Sequence, residues 1–184
     1  MRKVLFVLVI FTTTLPLFGQ FRDTEWGMSR DQVIEIEGEP VVNNEEFIAH
    51  EGSIAGYKTY IYFTFIEDQL IAGNYYLIET YTNRNKYIEQ YEEMKSNLAS
   101  VYGEPNSDDM IWNGSLYKGD TDNYGMAIAV GDLEYQTVWS TDETKILHKL
   151  FGNNYEITHS IYYESLEHKD LIKEEQNKSS TEGL

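Results

Sequence analysis

Four histidines and no cysteine set the limits of the chemistry that this chain can perform. Without cysteine, thiol nucleophiles, thiolate metal ligands and disulfide bonds are excluded. His148 and His159 flank Asn153-Asn154, and if these asparagines form a two-residue hairpin turn, the two imidazoles lie opposite each other on facing strands. They could then share a metal ion, but no carboxylate lies beside them, and the same strand face carries isoleucine and leucine. We therefore interpret them as a structural pair and predict neither a metal site nor a cofactor.

Carboxylates are abundant, with 31 acidic residues in the chain. Neighbours such as Glu92-Glu93 and Asp108-Asp109 point to different sides of a strand or helix. Acid–base catalysis needs one carboxyl group in a burying environment and one that stays ionised, and nothing in the sequence distinguishes such a pair. Nucleophile-elbow, phosphate-loop and His-Glu-x-x-His motifs are absent. We predict no catalytic residue and no enzyme activity; the alternative is a hydrolase-like enzyme that uses scattered carboxylates with His148 and His159.

Aromatic side chains are the more informative excess, since the chain contains 15 tyrosines. Tyr60 and Tyr62 lie on one predicted strand, and Tyr75 and Tyr76 lie on the next. Because side chains alternate between the two faces of a strand, some of these rings point away from the core. Exposed tyrosines are favoured at protein interfaces, where they bury much area at low entropic cost. The four tyrosines are our predicted binding residues, although a high strand propensity would also explain the excess.

A short helix has both its start and its stop signals in the sequence. Ser29 and Gln32 have the spacing of a capping box. Gly38 can adopt the left-handed backbone conformation that ends a helix, and Pro40 prevents its continuation. The pattern predicts a helix over residues 30–37, and these residue types serve folding rather than catalysis.

A second helix is predicted by an apolar stripe at spacings of four and three residues. The stripe consists of Tyr87, Tyr91, Met94, Leu98 and Val101. It is followed by Gly103-Glu104-Pro105, which repeats the Gly38-Glu39-Pro40 that closes the first helix. We interpret this as an internal duplication in which a helix, Gly-Glu-Pro and strands occur twice.

The remaining segments have the period of two and the composition of strands. Predicted strands cover residues 46–50, 57–66, 69–81, 110–113, 134–140, 145–151 and 155–163. Residues 124–130 are compatible with a strand or a short helix, and we favour the helix. The predicted fold class is α+β: an antiparallel sheet of about six to eight strands, with two main helices packed on one face, built from two divergent tandem repeats.

The N-terminal residues have the pattern of a secretory signal. Arg2-Lys3 precedes an apolar run from Val4 to Phe11, and cleavage is expected near Gly19 or Gln20. The run is too short to span a bilayer comfortably, so we predict export to the periplasm or the exterior with no stable membrane anchor after cleavage; an uncleaved anchor is the alternative. The chain divides into a signal peptide (1–19), a first repeat (20–82), a second repeat (83–165) and a charged, partly disordered tail (166–184).

The net charge narrows the class of partner. The formal charge is −17 at pH 7, and such a surface repels the phosphates of nucleic acids and of anionic lipids. We therefore expect no nucleic-acid partner, whereas cationic partners remain compatible with the charge.

One segment resembles a known family. WGMSRDQV (26–33), closed by EGEP (37–40), resembles the signature of small bacterial envelope proteins that include the SmpA/OmlA-type accessory lipoproteins of outer-membrane assembly. Tandem helix-plus-sheet repeats resemble the β-lactamase inhibitory protein-like fold. The resemblance implies a sheet with helices on one face and the other face open for a protein partner. The expected function is an exported, non-enzymatic binding module for an unknown protein. The alternatives to this function are the enzyme described above and a structural envelope component.

Overall fold

The computed structural model describes residues 21–174. The predicted signal peptide and residues 175–184 of the predicted tail lie outside this range. Within it the chain has an α+β fold with one open, eight-stranded antiparallel sheet, which confirms the predicted class. In chain order the elements are α1 (Arg30–Glu37), β1 (Val42–Asn43), β2 (Phe47–Ile54), β3 (Tyr57–Ile66), β4 (Gln69–Leu77), α2 (Asn85–Tyr102), β5 (Ser107–Trp112), a 3-10 helix (Thr121–Asn123), α3 (Tyr124–Ala129), β6 (Leu133–Ser140), β7 (Thr144–Asn153) and β8 (Glu156–Ser165).

The strands follow the spatial order β1-β2-β3-β4-β8-β7-β6-β5, and every neighbouring pair is antiparallel. Each half of the sheet is a four-stranded meander, and the two halves meet where β4 pairs with β8. One helix precedes each meander in the chain: the short α1 before β1 and the long α2 before β5. The strands at the two edges are β1 and β5.

Helices α1, α2 and α3 cover one face of the sheet, which we call the helix face. Val33 of α1 and Met94 of α2 belong to the same buried cluster as Ile61 of β3. Ile128 of α3 packs in a neighbouring cluster with Leu150 of β7. The main apolar core therefore lies between this face and the helices.

The opposite face of the sheet, which we call the open face, carries the alternate strand positions. A row of directly paired residues crosses it from β2 to β7, and the row consists of Ala49, Tyr62, Asn74, Tyr162 and Leu147. A helical segment over residues 169–174 lies at one end of this face, where Ile172 is buried against Ile71, Ala72 and Tyr162. No helix within residues 21–174 is long and apolar enough to cross a membrane.

The first helix has the caps that the sequence predicts, at the predicted residues. The Ser29 backbone N–H donates to Gln32 Oε1 (2.9 Å), and Ser29 Oγ accepts from the Gln32 N–H (3.4 Å). The helix ends at Gly38, whose φ is +89° and whose N–H donates to the Ile34 carbonyl. Gly103 ends α2 in the same way at a φ of +80°. A residue with a Cβ atom would be strained at either position.

The second helix confirms most of the predicted stripe and corrects its last member. Tyr91, Met94 and Leu98 are buried, but Val101 is 68 % exposed. The next contact of α2 with the sheet comes four residues after Leu98 rather than three: the ring centroid of Tyr102 lies 6.3 Å from that of Tyr163. The other predicted elements agree with the structure to within a few residues, and residues 124–129 are helical, as favoured.

Candidate functional site

Four aromatic side chains lie together on the open face, and we call them the aromatic ridge: Phe47, Tyr60, Tyr62 and Tyr76. The ring centroids of Phe47 and Tyr62 are 5.3 Å apart and those of Tyr62 and Tyr76 are 5.6 Å apart, both edge to face. Tyr60 is the direct cross-strand neighbour of Tyr76. Tyr76 is 40 % exposed, and the other three are half-buried. The ridge is thus a partly solvated aromatic surface carried by three adjacent strands.

The structure separates Tyr75 from the other predicted binding residues. Its side chain is on the helix face and 7 % exposed, with its ring 5.1 Å from Phe21 and 6.0 Å from Tyr163. Burial raises the pKa of its hydroxyl. Tyr75 and Tyr76 are consecutive on a strand and must point to opposite faces, so the assignment of Tyr75 to an exposed binding surface is wrong.

Asn74 adds an unpaired acceptor beside the aromatic ridge. It lies between Tyr62 of β3 and Tyr162 of β8 in the row across the open face. Its side-chain Oδ1 is buried and has no hydrogen-bond partner among residues 21–174. Leaving such a group unpaired costs about 1–3 kcal/mol. The open face therefore contains a polar atom whose hydrogen bond remains to be made.

Carboxylates border this half of the open face. Glu51 on β2 and Glu164 on β8 occupy open-face positions. The turns that precede β2 and β4 add the exposed pairs Glu45-Glu46 and Glu67-Asp68. Lys58 is the basic residue at the open-face positions of β2, β3 and β4. The surroundings of the aromatic ridge are consequently acidic.

The two histidines that the sequence pairs are in contact beneath α2. His148 Nε2 and His159 Nε2 are 2.8 Å apart, and His159 Nδ1 is 2.9 Å from Gln90 Oε1. His148 also stacks on Tyr91, with ring centroids 4.0 Å apart and planes 13° apart. The two imidazoles are 0 % and 2 % exposed. They form a buried polar link between the sheet and the helix.

The hairpin that carries them has a different register from the predicted one. Its turn consists of Asn154 and Tyr155, with φ values of +50° and +70°, so that His148 lies opposite Ile161. The prediction placed the turn at Asn153-Asn154, because asparagine tolerates positive φ better than tyrosine. A turn that moves by one residue shifts each pairing partner by two, and an even shift keeps every side chain on its face. The histidines are therefore diagonal neighbours and still touch.

The hydrogen bonds assign the protons of the neutral pair. Gln90 Oε1 can only accept, so His159 carries its proton on Nδ1 and accepts at Nε2. His148 then donates from Nε2, and its buried Nδ1 has no hydrogen-bond partner within residues 21–174. Burial lowers the pKa of His159 to about 3, and burial together with His159 lowers the pKa of His148 well below its usual value. Both imidazoles are neutral at pH 7.

A second chain of hydrogen bonds leads from the histidines to the surface. The Tyr91 hydroxyl is 2.6 Å from Thr137 Oγ1, which donates to Asp108 Oδ1 at 2.8 Å. Lys95 donates to the other oxygen of Asp108 at 2.9 Å. Neither Gln90 nor Thr137 is predicted from the sequence, although Gln90 directly precedes Tyr91 of the apolar stripe and Thr137 lies within the predicted strand 134–140. Together the two chains fix α2 to β5, β6, β7 and β8.

The geometry gives this buried network no access to a substrate. A shallow cavity of about 430 Å³ opens beside α2, lined among others by Glu89, Glu92 and Tyr124, and neither histidine lines it. A general acid or base must come within hydrogen-bonding distance of the reacting group, which the sealed pair does not permit. Within residues 21–174 no three His, Asp or Glu side chains are placed to hold a metal ion together.

Comparison of the chain with protein-family models, curated proteins and solved structures finds no match. The roles of the aromatic ridge and of the buried histidine network therefore follow from their own geometry.

Proposed function

We propose that this chain is an exported, non-enzymatic binding module that contacts a protein through its open face. The observation that carries the proposal is the aromatic ridge. Tyrosine buries a large area for the loss of few rotatable bonds, which makes it favourable at interfaces. Here the rings lie on adjacent strands of one sheet and hold one another in edge-to-face contacts, so little ordering is needed when a partner binds.

The buried histidine network supports this function over the enzyme alternative. It is the most chemically versatile cluster in residues 21–174, yet its imidazoles are sealed beneath α2. A sealed and hydrogen-bonded polar cluster is suited to fixing a helix on a sheet. The positions left for function are then on the surface, where the open face carries the aromatic ridge.

We also propose that the two halves are divergent repeats of one ancestral unit, as the envelope-protein resemblance suggests. Each half has a helix, a Gly-Glu-Pro and four strands in meander order. The helix-ending glycines Gly38 and Gly103 have φ values within 9° of each other, calculated from +89° and +80°. Export is part of the proposal and depends on the predicted signal peptide, which lies outside the described residues.

The test is affinity capture from an envelope extract of the cells that encode the chain, followed by titration of the captured protein. The variant Tyr60→Ser/Tyr62→Ser/Tyr76→Ser is expected to bind the captured protein at least about tenfold more weakly, because tyrosine is enriched among the few interface residues whose truncation costs about 2 kcal/mol or more, and a tenfold loss needs about 1.4 kcal/mol. Circular dichroism and the melting temperature establish that the variant is folded.

A matched control removes exposed apolar side chains from the other side of the molecule. Ile36 on α1 and Val101 on α2 are 43 % and 68 % exposed, and Ile36→Ser/Val101→Ser is expected to bind as the wild type does. Equal affinity of the tyrosine variant and the wild type would exclude the open face as the binding surface.

A further inference from the structure

We infer that the partner segment seated on the open face is cationic: an extended stretch of protein rich in arginine or lysine that lies along the aromatic ridge. This inference rests on the proposed function and specifies the chemistry of its partner. Three independent features of the open face support it, namely its charge, its aromatic rings and its unpaired acceptor.

The charge disfavours anionic occupants. At a formal charge of −17, a second copy of the chain, a nucleic acid or an anionic membrane would be repelled. Around the ridge, Glu51, Glu164, Glu45-Glu46 and Glu67-Asp68 add local negative charge. The cations in this region are Lys58, Lys145 beside Glu164, Lys169 and Lys173 on the helical segment at one end of the face, and Arg30, which donates to the Glu45 carbonyl and, from its backbone N–H, to Asp68 Oδ1. The charge of the whole chain is nevertheless strongly negative. Such complementarity steers association and selects the partner more than it adds affinity.

The aromatic rings are free to receive a cation. Lysine and arginine are attracted to the faces of tyrosine rings within about 6 Å. On the other half of the open face the chain supplies such a cation itself, because Lys149 Nζ lies 5.0 Å from the ring centroid of Phe151. The cation–aromatic pairs among residues 21–174 include none on the aromatic ridge. The ridge thus has the ring chemistry without the cation.

The unpaired acceptor selects a donor. Asn74 Oδ1 has no hydrogen-bond partner among the described residues and lies in the row between Tyr62 and Tyr162. Arginine carries five N–H donors and lysine three, and neither side chain has an acceptor. A cationic side chain that enters beside Tyr62 would place its charge on the aromatic ridge and, once the side chains that cover the buried Oδ1 move aside, supply the missing hydrogen bond.

The experiment titrates the purified chain with a fluorescent peptide of alternating arginine and serine, beside the counterpart with glutamate in place of arginine. Only the arginine peptide is expected to bind. Tyr62→Ser/Tyr76→Ser is expected to weaken binding of the arginine peptide about tenfold, since it removes two aromatic rings that can contact a cation. Asn74→Leu removes the acceptor and should weaken binding, whereas Asn74→Asp keeps an acceptor, adds charge and should strengthen it.

A pair of charge-matched variants separates the site from the overall charge. Glu51→Gln/Glu164→Gln on the open face should weaken binding several-fold, and Glu35→Gln/Glu39→Gln on the helix side, which removes the same charge, should change it less than about twofold. Equal weakening by both pairs, binding of the glutamate peptide, or no binding of the arginine peptide would overturn the inference. If the partner captured from the envelope still requires the aromatic ridge in any of these cases, the proposed function stands and only the cationic partner is wrong.

Discussion

Acidification from about pH 6.5 to about pH 4.5 is expected to lower the free energy of unfolding by about 5 kcal/mol through His148 and His159 alone. Both imidazoles are buried, neutral and hydrogen-bonded in the folded chain. Burial lowers the pKa of His159 to about 3 and that of His148 well below its usual value. A protonated imidazole at either position would be a charge buried beneath α2.

The sign follows from where the protons bind. An unfolded histidine has a pKa of about 6.5, so below that pH the unfolded chain takes up two protons that the folded chain refuses. The stabilisation is fully present above about pH 6.5 and is lost as the pH falls toward the pKa values of the folded state. For each histidine the free energy of unfolding then falls by at most about 1.4 kcal/mol per pH unit. Urea unfolding followed by tryptophan fluorescence at a series of pH values measures it.

A variant without the polar link isolates the contribution of the two histidines. His148→Leu/His159→Leu/Gln90→Leu replaces all three groups, so that no partner is left unpaired, and it is expected to lose the acid-dependent decrease in this range. Asp108→Asn is the control. Burial raises the pKa of Asp108, but the hydrogen bonds from Lys95 and Thr137 outweigh this effect and lower the pKa below 3.8. The stability that ionised Asp108 contributes is therefore lost only at a pH below the range in which the histidines act. An unchanged pH dependence in the leucine variant would contradict the assignment.

The parts of the fold that the sequence predicts are those set by local chemistry. The capping box of Ser29 and Gln32 and the glycine stops at Gly38 and Gly103 depend on backbone groups within a few residues, and all are present. Glu67-Asp68, the two residues between the predicted strands 57–66 and 69–81, form a turn with both φ values positive. Such signals need no knowledge of the tertiary structure.

The features that the sequence analysis missed depend on packing between distant segments. Because successive side chains of a strand alternate between its two faces, Tyr75 and Tyr76 must point to opposite faces. Which of the two is buried depends on where the helices pack. In the β7–β8 hairpin, Tyr155 occupies a left-handed position with φ of +70°, against its local preference. Ala129, which is distant in sequence, accepts the hydrogen bond of its backbone N–H at 2.8 Å. The hairpin therefore turns at Asn154-Tyr155, where this tertiary hydrogen bond forms, and not at Asn153-Asn154, which local propensity favours.

Phe21 is a residue at which a single substitution should have a large effect on stability. Its side chain is 1 % exposed, and its ring centroid lies 5.1 Å from those of Phe63, Tyr75 and Tyr163. A tight turn holds it there, in which Thr24 Oγ1 donates to the Phe21 carbonyl at 2.7 Å. The ring occupies the space above Gly73, where a Cβ atom would collide with it.

Phe21→Ala is expected to lower the free energy of unfolding by about 3–5 kcal/mol, the range for a buried phenylalanine whose cavity does not collapse. Gly73→Ala should also destabilise, because its Cβ meets the ring, and the double variant should be more stable than the sum of the two predicts. Leu116→Ala, at a side chain that is 79 % exposed, should change stability by less than about 0.5 kcal/mol. Denaturant unfolding of these four variants and the wild type measures the differences.

A loss below about 1 kcal/mol for Phe21→Ala would show that the ring is not part of the folded core. The expected loss has a consequence for processing of the chain. The predicted cleavage near Gly19 or Gln20 would leave Phe21 in the chain, whereas cleavage a few residues later would remove both Phe21 and the Thr24 turn that holds it. The packing of Phe21 therefore limits how many N-terminal residues can be removed before the chain no longer folds fully. A chain that begins at Glu25 should lose at least as much stability as Phe21→Ala does.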